Sequence, residues 1–151
     1  MLKNKIPPPV YMLITAAMMW LLDKFLPLYN WLNNPWNKQG LIIIGIAAFL
    51  DIWSLLLFFQ FKTTPNPMKL SNTSHLVTNG LYRYSRNPMY LGLLVMLIGW
   101  AFYLGSLSPL SMLPLFIWLL TNQQIIPEET ILMDKFGQEY KDYQKHVRRW
   151  I

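Results

Sequence analysis

The sequence predicts an all-α integral membrane bundle of four to five transmembrane helices, closed by a C-terminal amphipathic helix. Three observations carry that expectation. The chain is 54% hydrophobic and 15% aromatic but only 13% charged, where soluble domains carry about 25% charged residues. Four apolar segments cover residues 9–28, 40–61, 89–104 and 107–126, and a membrane span takes about 20 residues. Lysines and arginines collect in alternate connections between those segments, as they do on the inner side of membrane proteins. At 151 residues the whole chain reads as one domain, residues 1–151.

The first segment follows MLKNKIPPPV and is followed by no small-residue cleavage site. It reads as a retained span, not a removed signal peptide. The second, GLIIIGIAAFLDIWSLLLFF, carries Asp51 in its middle. A carboxylate inside a span is a functional-site candidate by default. The alternative is a protonated Asp51 bonded to a neighbour, such as Ser54 or a tryptophan N–H. Next comes TTPNPMKLSNTSHLVTNG, rich in turn formers. It predicts an irregular loop outside the spans, where its backbone can be solvated or can wrap a ligand.

Pro88 suits the first turn of the third helix. The residue before it, Asn87, is expected in extended geometry and can cap the helix with its side chain. That third segment is short, and Gly105-Ser106 with Ser108-Pro109 turn it tightly into the fourth. A further break within a span would raise the count from four to five. Pro127 ends the fourth span by removing one helical hydrogen bond and freeing the carbonyl of Gln123. Beyond it, Leu132, Phe136, Tyr140, Tyr143 and Val147 form an apolar stripe, with Lys135, Glu139, Lys141, Asp142 and Lys145 filling much of the rest. This predicts one amphipathic helix lying on the membrane or over the site. Arg148, Arg149 and Trp150 then read as an interfacial anchor.

With four spans, Lys3 and Lys5, then Lys62, Lys69, Arg83 and Arg86, then Lys135, Lys141, Lys145, Arg148 and Arg149 all fall on one side. Only Lys24 and Lys38 lie near the other. Both termini are therefore expected in the cytoplasm. The net charge of +6 belongs to this topology, and no nucleic-acid partner is expected. The chain has no cysteine, and its two histidines, His75 and His146, lie far apart. That excludes a disulfide framework and a catalytic thiol, and no metal site is expected.

Two polar blocks interrupt this apolar chain: LVTNGLYRYSRNPMYLG at residues 76–92 and PEETILMDKFGQEYKDY at residues 127–143. The predicted topology brings both to the cytoplasmic face. The amides of Met89, Tyr90 and Leu91 would open a helix there and favour an anion. An ordinary helix start, with Arg86 and Tyr90 as interfacial residues, explains that block equally simply. Glu128 and Glu129 are costly beside a membrane unless solvated or paired. They read either as ligand-binding carboxylates or as a solvated first turn complementing the helix dipole.

The first block resembles the Arg-His-Pro-x-Tyr region of the isoprenylcysteine carboxyl methyltransferase and phospholipid methyltransferase superfamily. The second resembles that superfamily's Glu-Glu segment and its FG-x-E-Y continuation. The resemblance covers roughly the C-terminal half of the chain and implies a membrane methyltransferase that uses S-adenosylmethionine. The implied acceptor is a lipophilic small molecule: a phospholipid amine, a prenylcysteine-like carboxylate or another small lipid. Membrane lipids are the expected surroundings.

Carried onto this sequence, the implied cofactor positions are Ser74, His75, Leu76, Val77, Tyr82, Asn87, Pro88, Met89, Tyr90 and Glu128, with Glu129 in support. Arg86 and Tyr90 are the expected catalytic residues, and Gln124 the expected acceptor contact. His75 has a solvated or structural role as its alternative. Two departures stand out. Asn87 takes the place of the family's motif histidine. Asn122-Gln123-Gln124 stands where prenylcysteine enzymes carry an arginine. The second departure favours an amine-bearing or uncharged head group over a prenylcysteine carboxylate. Two other readings remain: an NADPH-dependent sterol-type membrane reductase, whose family shares an Arg-x-Pro-x-Tyr-like turn, and a non-enzymatic lipid-binding or scaffold protein.

Overall fold

Prolines open two of the long helices. Pro8 stands in the first turn of α1 (Pro8–Phe25) and Pro88 in the first turn of α3 (Pro88–Leu104). A missing N–H is harmless there because the first amides of a helix have no helical acceptor. The computed structural model describes residues 6–60 and 76–151, with side chains described to residue 56 and again from residue 76. Ser74 and His75, Lys3 and Lys5, and Lys62 and Lys69 lie outside the described residues. The remaining elements are α2 (Gln39–Gln60), α4 (Met112–Leu120), α5 (Ile126–Phe136) and α6 (Gln138–His146). Among the described residues the protein is all-helical.

The helical stretch Trp36–Leu56 is long and apolar enough to cross a membrane, at 21 residues. The 17 residues of α3 rise about 26 Å at 1.5 Å per residue, close to the hydrocarbon thickness of about 30 Å. α2 and α3 make the most extensive helix–helix contact. Gly40 lies against the Gly99 carbonyl and Tyr103, and Gly99 against Ile43 and Ile44. A Cβ at either glycine would strike backbone, so small residues let the two helices meet closely. The opposite side of α2 presents Ile42, Ile46, Phe49, Ile52, Trp53 and Leu56, all more than half exposed. That face suits lipid.

α1 and α4 complete the core around α3, with Met19, Leu93, Leu97, Ala101, Phe116 and Leu120 packed together. Trp100 Nε1 donates to the Ala16 carbonyl at 3.1 Å, tying α3 to α1. Gly105 stops α3 with φ 87°, a left-handed conformation that glycine adopts without strain. Its carbonyl accepts the amides of Trp31 and Leu32 at 3.0 and 3.2 Å, closing the far end of the bundle.

The fourth segment departs from expectation. Pro127 does not end it; the helix continues through the proline into α5. A π-helical turn, Thr121–Ile125, precedes the proline, and the Ile126 amide bonds the Thr121 carbonyl five residues back. The hydrogen-bond register thus shifts one residue before the position where the ladder must lose a donor. The expected single amphipathic helix is also two helices. Gly137, at φ 49° and ψ −116°, divides α5 from α6. The stripe itself is as expected, with Tyr140 and Val147 buried and Lys135, Glu139, Lys141, Asp142 and Lys145 exposed. The tail is not a free interfacial anchor. It folds back on the bundle, Trp150 Nε1 reaching the Thr121 hydroxyl at 3.3 Å.

Candidate functional site

The site forms where the start of α3 meets the beginning of α5 and the returning tail. A single turn, Gly80–Arg83, leads into it, with Gly80 at φ 63°. That turn carries Tyr82 inward, where it is 7% exposed. The Tyr143 hydroxyl donates to the Tyr82 carbonyl at 2.6 Å and fastens the turn to α6. Val77, just upstream, is buried, and Leu76 is half-buried.

Arg86 is the centre of a clamp. Its amide donates to the Arg148 carbonyl at 3.0 Å. One guanidinium nitrogen donates to the carbonyls of Gln144 and Val147 at 3.3 and 3.1 Å. The other reaches Glu129 Oε1 at 2.7 Å. Arg149 approaches the same carboxylate from the far side, 2.6 Å to Oε2 and 3.1 Å to Oε1. Burial acts to raise the Glu129 carboxyl, but the hydrogen bonds and charges of Arg149 and Arg86 outweigh it and hold the group below its ordinary value.

Asn87 belongs to this clamp as well. Its side-chain amide donates to the Arg149 carbonyl at 2.9 Å, and no side chain caps α3. The expected Asn87 cap is therefore absent, and its backbone, at φ −131° and ψ 57°, is not extended. The tail carbonyl needs a donor, and Asn87 supplies it. Ser85 reinforces the corner, its hydroxyl accepting the Asn87 amide at 3.1 Å.

Glu128 looks the other way. Its Oε1 accepts the Tyr90 hydroxyl at 2.5 Å, its one hydrogen bond among the described residues. Burial pushes the Glu128 carboxyl up to about 7, Tyr90 opposing the shift and the Glu129 charge adding to it. The Tyr82 hydroxyl is raised well above its usual value by burial and then by Tyr143, Glu128 and Asp51. Glu128, Tyr82 and Tyr90 thus share one enclosed neighbourhood beside the first-turn amides of Met89 and Tyr90, which have no helical acceptor. Such a place can hold a cation at the carboxylate and an anion at the helix start.

Gln124 lies one turn before Glu128, fully buried within the π turn. Its amide donates to the Ile6 carbonyl at 2.7 Å, while its Oε1 is buried without a partner among the described residues. Among the described residues Asp51 bonds neither Ser54 nor a tryptophan N–H. Its Oδ1 and the Ser54 hydroxyl are both buried and unpartnered among the described residues, and the carboxyl lies against Gly92 of α3. Of the residues expected at the site, Tyr82, Tyr90 and Glu128 gather together. Arg86, Asn87 and Glu129 form the adjoining clamp. Sequence reasoning missed Arg149 and Tyr143 as site-building residues. For Arg149 the signal was an arginine pair in a sequence that also holds a Glu-Glu pair in need of cations; Tyr143 showed only as a member of the apolar stripe.

The phospholipid methyltransferase family model matches residues 36–139, and the chain belongs to that family. A protein-S-isoprenylcysteine O-methyltransferase of Schizosaccharomyces pombe is 36% identical over 120 residues, covering 80% of this chain and 51% of that protein. An uncharacterized protein of Haemophilus influenzae is 47% identical over 64 residues, 42% of this chain and 100% of that protein. Steroid 5-alpha-reductase DET2 of Solanum lycopersicum is 24% identical over 152 residues, 92% of this chain and 55% of that protein. The chain spans about half the length of the fission yeast relative. Tyr82, Tyr90 and Glu128 fall inside the family match, whereas Arg149 lies beyond it.

Proposed function

We propose that this chain is a multi-pass membrane methyltransferase that takes a methyl group from S-adenosylmethionine and delivers it to a lipophilic acceptor. Family membership supports the reaction class. The observation that carries the cofactor assignment is Glu128, a carboxylate 9% exposed whose one hydrogen bond among the described residues comes from Tyr90. S-adenosylmethionine has an ammonium, a carboxylate, an adenine face and a sulfonium, and the residues present fit these groups. Glu128 suits the ammonium, the amides of Met89 and Tyr90 suit the carboxylate, and buried Tyr82 and Val77 offer apolar surface. When bound, the cofactor supplies an electrophilic methyl group.

The chain's own residues bind, align and exclude water. Tyr90 orients the Glu128 carboxylate. The Arg86–Glu129–Arg149 clamp holds the tail across the site, and alignment with exclusion of water is most of what a methyl displacement asks of a protein. Arg86 and Tyr90 act here as positioning groups. The acceptor approaches through lipid and the cofactor from the cytoplasm, where both termini lie. The Lys and Arg distribution supports that topology. Because the chain has no cysteine, a single cysteine at Lys145 tests it with an impermeant reagent; labelling from the outside alone would overturn it.

The tomato reductase likeness favours a second reading, an NADPH-dependent reductase. Against it, Arg86 and Arg149, which stand beside the site among the described residues, are already committed to Glu129, and a dinucleotide phosphate calls for cations of its own. Calorimetric titration separates the readings. Saturable binding of S-adenosylmethionine, weakened at least tenfold by Glu128→Gln, is expected; binding of NADPH alone would sink the proposal.

A further inference from the structure

The groups that the methyltransferase reading gives to the cofactor are enclosed. Val77, Tyr82, Tyr90 and Glu128 are all buried, so a polar molecule reaches them only if a wall moves. Most of the walls are fixed. α3 packs against α1, α2 and α4, and α5 continues from α4 through the π turn. The turn bearing Tyr82 is fastened to α6 by the Tyr143 hydroxyl. Residues 148–151 differ, because they belong to no helix.

The hold on this segment changes character at Arg148. Up to that residue the chain is gripped by Arg86, whose guanidinium donates to the carbonyls of Gln144 and Val147 and whose amide donates to that of Arg148. Beyond it the contacts are made by side chains. The Arg149 carbonyl accepts Asn87 Nδ2 at 2.9 Å and the Ser85 hydroxyl at 3.4 Å. The Arg149 guanidinium reaches Glu129, and Trp150 Nε1 reaches the Thr121 hydroxyl. Asn87 precedes α3, Glu129 stands in the first turn of α5, and Thr121 opens the π turn before it. Residues 149 and 150 thus bridge the same two helices that Tyr90 and Glu128 join.

The ion pairs are arranged so that one side can let go. The Arg86 side chain is 11% exposed and that of Arg149 is 37% exposed. When Arg149 withdraws, Arg86 still neutralises Glu129, so no buried carboxylate is left unpaired, which is the costly outcome. Arg149 is already partly in water. Trp150 packs against the core cluster that includes Tyr90, and its buried apolar surface favours the docked position.

We infer that Arg149, Trp150 and Ile151 form a strap over the cofactor entrance between α3 and α5, swinging about Arg148 and latched by Arg149 on Glu129 and by Trp150 on Thr121. The inference rests on the methyltransferase reading and concerns the regulation of that same site. The latch bonds run to Glu129 and Thr121, not to Glu128. Loosening them therefore favours the open form equally whether the site is empty or filled. Entry and exit then quicken by one factor and Kd, their ratio, stays put. A residue that touches the ligand changes Kd, chiefly through the exit rate.

Rapid filtration with labelled S-adenosylmethionine, on the full chain in detergent micelles, reads both rates. Arg149→Gln removes a charge-assisted pair and should raise kon and koff together about tenfold, with Kd within about twofold. Trp150→Phe keeps an apolar ring, loses the Nε1 bond, and should raise both rates about threefold. If Arg149→Gln does not fold, Trp150→Phe alone decides. Glu128→Gln provides the contrast, raising Kd with no faster kon. A merely structural tail would lower the melting temperature in the strap variants and leave both rates alone. Unchanged rates in the strap variants, or a rise in koff without kon, overturns the inference. Failure of wild type to bind S-adenosylmethionine overturns instead the reading beneath it.

Discussion

Glu128 accepts a hydrogen bond from Tyr90 at 2.5 Å, while Glu129, the next residue, is held between Arg86 and Arg149 at 2.7 and 2.6 Å. Both side chains are largely withdrawn from water, so burial alone does not distinguish them. The partners do. Glu129 is neutralised by two cations and keeps its carboxyl below the ordinary value. Glu128 has a neutral phenol, and burial lifts its carboxyl to about 7. A carboxylate already matched to arginines has nothing to offer a ligand. Glu128, with no cation partner among the described residues, is open to one. Consecutive residues on one helix therefore have different partners, Glu129 fixing the tail and Glu128 keeping the carboxylate that the proposed reading gives to the cofactor ammonium.

The largest effect is expected at Glu129. Glu129→Gln leaves Arg86 and Arg149 without their anion, and breaking a buried pair from one side costs about 3–5 kcal/mol. Thermal or denaturant unfolding should show that loss. A variant as stable as wild type would dissolve the contrast. Glu128→Gln should leave stability near wild type and weaken S-adenosylmethionine binding at least tenfold, because a charge-assisted hydrogen bond contributes about 1.5–3 kcal/mol. Titration of both variants sharpens the comparison. A Glu129→Gln variant that stays folded but alone loses the cofactor would exchange their roles.

The pH dependence separates the same two groups. A carboxyl raised from 4.5 to about 7 on folding binds its proton more tightly in the folded state. Its contribution to stability is fully present below about pH 4.5 and is lost as pH rises through about 7, at up to about 1.4 kcal/mol per pH unit. Glu129, lowered by its arginines, contributes the opposite way, with stability present above about 4.5 and lost as pH falls through its depressed value. Unfolding free energy measured from about pH 5 to 8 should fall in wild type and be flatter in Glu128→Gln. Parallel curves would contradict the assignment. The smallest effect is expected of Tyr90→Phe, which removes a bond favouring the ionised Glu128. It should weaken cofactor binding about threefold near neutral pH and cost about 1 kcal/mol of stability, measurable in the same titrations and melts.

Local pattern made much of this legible. Apolar run lengths gave the three long helices, Pro88 gave the start of α3, and the spacing of Leu132, Phe136, Tyr140, Tyr143 and Val147 gave the buried face of α5 and α6. The family resemblance put Tyr82, Tyr90 and Glu128 in one place, and the structure groups them. What the sequence hid depends on distant parts of the chain. Asn87 looks like a cap until the tail returns, and its partner Arg149 is 62 residues away. Pro127 looks like a helix end because proline removes a donor; a π turn just before it absorbs the loss. Gly137 looked like part of a motif and proved to be a joint, since only its backbone angles divide α5 from α6.

Proton release on cofactor binding tests most directly whether Glu128 is the cation site. Near pH 6 a carboxyl titrating at about 7 is mostly protonated, and binding an ammonium forces it to ionise. Calorimetric titration of S-adenosylmethionine in two buffers of different ionisation enthalpy reads that proton. Wild type should release close to one proton near pH 6 and far less near pH 8, and Glu128→Gln none at either. Heats independent of buffer in wild type, or proton release that survives Glu128→Gln, would contradict the account.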